Sequence, residues 1–142
     1  MSLQGDHVAI PPEIEATISL VRDDKHPTDW CLCGFANGCP PLTLLASGEG
    51  GAVALSRALA SPGLASTVAY GLLRTADQID ATTMTKFVFL SFIGSDVPVM
   101  RRAKISTHKG MVTAAFEPFH AELMNVTSAD EARESTAWQP NA

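Results

Sequence analysis

The sequence predicts an α/β protein, built on one mixed β-sheet with helices on both faces. Three observations carry this. Residues 87–93 (Phe-Val-Phe-Leu-Ser-Phe-Ile) form a nearly unbroken β-branched and aromatic run, the pattern of a central strand covered on both sides. The segments follow the order helix, two strands, helix, strand, strand, long helix, strand, helix. The last strand is reached through a helical crossover, so it can lie parallel to a neighbour.

A length of 142 residues suits one domain able to bury about two thirds of its unfolded surface, and 46% hydrophobic residues can fill its core. The expected organisation is an N-terminal arm over residues 1–10, a domain over 11–137 and a tail over 138–142. Pro11-Pro12 opens the first helix, with Glu13 and Glu15 near its positive end. Ile14, Ile18 and Val21 make one apolar face, and the helix stops near Arg22-Asp23-Asp24. A strand over residues 29–35, a turn over 37–41 and a strand over 42–45 follow. Residues 47–51 (Ser-Gly-Glu-Gly-Gly) are a glycine-rich loop without the Gly-Lys-Ser/Thr end or G-x-G-x-x-G spacing of a nucleotide site. A short helix over 52–60 and a strand over 66–74 come next. Residues 75–85 read as a polar loop, a candidate contact finger, and Lys86 opens the central strand. Gly94-Ser95-Asp96 turns the chain into a helix running from Pro98 to about Phe116, bent near Ser106-Thr107. Residues 122–127 form the last strand, and Ser128-Ala129-Asp130-Glu131 has the spacing of a capping box for a final helix reaching Ala137.

Charge and cysteine content narrow the function. A net charge of −5 excludes general nucleic-acid binding. Cys31, Cys33 and Cys39, odd in number and crowded together, do not make a disulfide framework. With His26 they could supply four zinc ligands, but Cys-x-Cys is not zinc-ribbon spacing, and small buried hydrophobes are the favoured reading. No charged-then-apolar leader and no long apolar run occurs, so a cytosolic setting without a membrane span is expected.

Positive charge is concentrated in one stretch. Residues 84–110 hold five Lys/Arg (Lys86, Arg101, Arg102, Lys104, Lys109) against one Asp, a local charge of +4. The rest of the chain carries five Lys/Arg against fourteen acids, or −9. Half of the cations thus lie on one strand–helix unit, next to the apolar Val99 and Met100. The helix cations are either a solvated face or a contact for an acidic partner, and Lys86 is either a strand-edge solubility device or a contact. An enzyme is the rival class: His108 lies beside Lys109, Ser106 and Thr107, but no orienting carboxylate or serine motif accompanies it. A phosphoinositide or other anionic-ligand module using the same cations is a second rival.

Several short pieces occur together in a specific order. They are Leu20-Val21-Arg22-Asp23-Asp24 with Trp30 soon after, Gly48-Glu49 before the second helix, Lys86-Phe87, Ile93-Gly94, and Arg102-Ala103-Lys104. In these the chain resembles an actin-depolymerising-factor homology (ADF/cofilin-like) domain, most closely of the coactosin type, over residues 10–137. The resemblance implies the ADF-homology, gelsolin-like fold, a mixed sheet of five to six strands between helix pairs. It implies binding to the side of actin filaments, with weaker binding to monomeric actin, no catalysis and no cofactor, by a monomer in the cytoplasm and cytoskeleton. It places filament contact on Lys86 and on Arg101, Arg102, Lys104 and Lys109 of the long helix. Met100 stands where cofilins carry a further basic residue, which implies filament decoration over severing; a cofilin-like depolymerising binder is the alternative. The chain departs from coactosins at Cys33-Gly34-Phe35-Ala36-Asn37 and in its short tail.

Overall fold

The computed structural model describes residues 10–36, 42–79, 81–102 and 105–126. The turn expected at 37–41, the final helix from Ser128, Cys39, Lys104 and both terminal segments lie outside the described residues. The elements are α1 (Pro12–Arg22), β1 (Trp30–Ala36), β2 (Leu42–Gly48), α2 (Gly51–Leu59), a 3-10 turn (Pro62–Ser66), β3 (Thr67–Ile79), β4 (Thr82–Ile93), α3 (Val99–Arg102), α4 (Ile105–Phe116) and β5 (Ala121–Val126). Five strands form one sheet in the order β2-β1-β3-β4-β5. The β4/β5 pair is parallel, as the crossover predicts, and the other pairs are antiparallel.

Strand alternation divides the core between the two sheet faces. Cys31, Cys33 and Phe35 of β1, Tyr70 and Leu72 of β3 and Phe89 of β4 pack with Ile14, Ile18 and Val21 of α1 and Val112 and Phe116 of α4. Their strand neighbours Trp30, Leu32, Ala69, Leu73, Val88, Leu90 and Phe92 pack on the opposite face with Leu55 and Leu59 of α2. The continuous apolar run of β4 is therefore needed on both sides, which is why it does not alternate with polar residues. Each fully buried Leu or Phe contributes about 1.5–3 kcal/mol through burial.

Cys31 and Cys33 belong to this core. Cys31 and Cys33 are free thiols, 1% and 0% exposed. Burial pushes the Cys31 thiol up to about 12, against a smaller downward pull from the Leu72 backbone and Arg22, and raises Cys33 as well. In the window above the ordinary thiol value of 9.0, the unfolded chain loses these protons while the folded chain keeps them. Stability is therefore fully present below that window and lost as pH rises through it, by about 1.4 kcal/mol per unit per thiol. Urea unfolding from about pH 8 to about pH 10 is expected to show a steeper loss for the parent than for Cys31→Ala/Cys33→Ala.

Two expectations require correction. The polar segment at residues 75–85 is not a loop. It is the far half of a β-hairpin, with β3 running to Ile79 and β4 starting at Thr82, so Lys86 lies inside its strand and does not open it. Thr75, Thr82, Thr83 and Thr85 suit a strand by their β-branching. The segment lacks apolar alternation because β1 pairs with β3 only as far as Leu73 and β5 reaches β4 only from Val88. Among the described residues no third strand flanks this ribbon to form a core-facing side. The second correction concerns charge clustering. β4 carries the chain from Lys86 to Ile93 before the helical segment starts, so Lys86 and α3 lie at opposite ends of the sheet, about 23 Å apart along the strand.

The turn that launches α3 is fixed by close backbone approach. Gly94 donates its N–H to Thr67 O (3.0 Å) and Asp96 donates to Ala65 O (2.7 Å). A Cβ on Gly94 would fall far inside the van der Waals radii of the Leu64 and Ala65 carbonyl oxygens. Backbone cannot yield as a side-chain tip can, so Gly94→Ala is expected to cost about 1–3 kcal/mol in a thermal or urea melt. An unchanged midpoint would show that the turn moves freely.

Candidate functional site

One end of the sheet carries the projecting hairpin. Beyond the register pair Arg74/Phe87, residues 75–79 pair, among the described residues, only with residues 82–86, and Lys86 stands opposite Thr75. A two-stranded ribbon is marginal alone, and its root is correspondingly well held. The Arg74 backbone donates to Asp29 O (2.8 Å). Its guanidinium donates to Val21 O (2.7 Å) and Asp23 O at the C-terminal end of α1 and to His26 O (2.7 Å) in the loop that follows. Across the pair, Phe87 donates its N–H to His120 Nδ1 (2.9 Å) and accepts from the His120 N–H (2.8 Å). The His120 ring stacks on the Phe87 ring at 6.0 Å, and the Arg22 guanidinium sits 5.0 Å from the same ring. Arg22 also donates to the carbonyl of Phe116, the last residue of α4. Partial burial draws Arg22 below its ordinary pKa, with the Cys31 charge opposing.

The other end carries α3. Val99 and Met100 are 80% and 83% exposed, an apolar pair presented to solvent. Arg101 and Arg102 follow them in the same helical segment, and the expected Lys104 lies outside the described residues. Lys109, farther along in α4, forms an ion pair with Glu122 of β5 at 3.1 Å. Its charge is already answered within the chain. The predicted site residues are thus distributed over three places: Lys86 on the hairpin, Met100, Arg101 and Arg102 on α3, and Lys109 paired against β5.

Among the described residues the rival chemistries find no constellation. His108 is 5% exposed and packs against the Phe35 ring at 5.3 Å, while His120 uses its Nδ1 to hold β4. Among the described residues no group of three or more His, Cys, Asp or Glu side chains converges as metal ligands. In the glycine-rich loop, Gly50 and Gly51 adopt left-handed φ values of 108° and 62° and lead into α2. The Asp29 carboxylate accepts the Gly51 N–H at 3.0 Å, occupying the helix N-terminus where a phosphate would have to sit. None of the described helices is long and apolar enough to cross a membrane.

A five-stranded mixed sheet between helical layers, with an exposed helical segment at one end and a projecting hairpin at the other, defines an actin-depolymerising-factor homology domain. Residues 7–137 match the family described as cofilin/tropomyosin-type actin-binding proteins, and the chain belongs to that family, as an actin-binding cytoskeletal regulator of the coactosin type rather than an enzyme. It is similar to coactosin of Dictyostelium discoideum, 30% identical over 122 residues, covering 86% of this chain and 80% of that one. The crystal structure of Entamoeba histolytica coactosin superposes with a TM-score of 0.71 at 28% identity, over 83% of each chain. Human coactosin-like protein gives 0.76 at 20% identity, over 93% of this chain and 95% of that one, a likeness of fold.

Arg22, Arg74 and His120 hold the root of the hairpin and are not among the site residues that the sequence predicts. Arg22 lies inside the Leu20-Val21-Arg22-Asp23-Asp24 stretch that carried the resemblance, which was the one available signal. Arg74 and His120 reach their partners only through sheet register.

Proposed function

We propose that this protein binds along the side of actin filaments as a monomer, touching one actin subunit through α3 and another through the β3–β4 hairpin. The observation that carries this is the separation of Lys86 from α3, which presents the exposed Val99 and Met100, by about 23 Å of strand. A polymer offers two subunits to such a pair of contacts, and joining them makes the second contact intramolecular. A free actin monomer answers only one, so its binding is weaker. Met100 adds apolar area where a further cation would add charge, in keeping with decoration of filaments rather than severing. Basic contacts on a chain of net charge −5 need an acidic partner, and membership of the cofilin-type actin-binding family favours a cytoplasmic, cytoskeletal setting.

Co-pelleting with filaments, run beside gel filtration with monomeric actin, tests the reading. The protein is expected to pellet in a saturable way at modest salt and to elute apart from monomeric actin. A stable complex with the monomer and none with filaments would overturn it in favour of sequestration. Displacement from filaments by phosphoinositide vesicles would show that the same cations also read phosphate headgroups.

A further inference from the structure

We infer that Arg22 is a positioning residue for filament binding, a clamp that fixes the root of the hairpin and thereby aims Lys86. The inference rests on the filament reading above and adds a residue to it. Among the described residues the hairpin has no other sheet neighbour past the Arg74/Phe87 pair, so its direction is set at that pair. Phe87, the residue after Lys86, is held on one side by His120, through two hydrogen bonds and a ring stack. The Arg22 guanidinium covers the ring of Phe87 and bonds the last carbonyl of α4. One planar group therefore joins the end of α1, the end of α4 and the base of β4. Arg74 completes the arrangement by joining the opposite strand of the root to the end of α1. A lysine could supply the charge of Arg22. It could not both cover an aromatic face with a planar group and direct a second donor to a carbonyl.

Amide hydrogen exchange across residues 75–86, measured without actin, reads the clamp directly. Arg22→Ala and Arg22→Lys are both expected to speed exchange there by at least about tenfold relative to the parent, while Lys86→Ala does not. Phe87→Leu, which keeps the apolar bulk but removes the ring, is expected to act in the same direction and serves if either Arg22 variant fails to fold. In filament pelleting, Arg22→Ala is expected to weaken binding about fivefold in the parent and less than about twofold in the Lys86→Ala background. Unchanged exchange in the hairpin overturns the inference. So does parental affinity in Arg22→Lys, which would make Arg22 a surface cation, or an equal loss in both backgrounds. Should the parent itself not pellet, the filament reading falls while the exchange data still decide whether the clamp exists.

Discussion

Lys86→Ala is expected to weaken filament co-pelleting by about tenfold or more, because a charge-assisted contact to an acidic surface contributes on the order of 1.5–3 kcal/mol. The substitution leaves the fold in place. Lys86 sits at a half-buried position of the ribbon, outside the two apolar clusters, and its backbone pairing with Thr75 survives removal of the side chain. The thermal midpoint should move by no more than a few degrees, since exchanging one residue for another in a strand spans about 1 kcal/mol. A variant that pellets like the parent would assign Lys86 to hairpin solubility. One that melts much earlier would mean that the binding loss reports unfolding.

Phe89→Ala should have the largest effect on stability, a loss of about 3–5 kcal/mol. Phe89 is 0% exposed at the centre of β4. Its ring stacks with Tyr70 at 6.2 Å and with Phe119 at 5.0 Å, and meets Phe116 at 5.2 Å. It is thus the point at which α4 and the crossover that follows it seat on the sheet. Removing it leaves a cavity beneath the helix whose end Arg22 bonds. Against a typical domain stability of about 5–15 kcal/mol the loss is severe, and it should appear as a large drop in the urea midpoint. A loss below about 1 kcal/mol would mean that the aromatic cluster repacks around the gap and is not the anchor of α4.

Much of the fold could be read from periodicity because burial imposes it. Ile14, Ile18 and Val21 recur at helical spacing since α1 has one wet face, and residues 87–93 run apolar since β4 is covered twice. Reading failed where burial stops. The threonines of the hairpin carried strand propensity but no alternation, so residues 75–85 looked like a loop. The binding residues were legible as a concentration of charge, but sequence proximity misled about space, because a strand carries its two ends apart. Lys109 illustrates a different limit: its ion pair with Glu122 depends on β5 lying parallel to β4, which composition does not encode. The same holds for the Arg22 and Arg74 contacts with carbonyl groups far off in sequence.

The most direct test of the central claim is filament co-pelleting titrated with salt, comparing the parent with Lys86→Ala, with Arg102→Ala/Lys104→Ala and with all three changes together. Two separate charged contacts predict that affinity falls steeply with salt for the parent and less steeply for each variant. They also predict that the two losses add in free energy in the combined protein. Salt-independent pelleting of the parent, with the combined variant bound as tightly, would contradict the account.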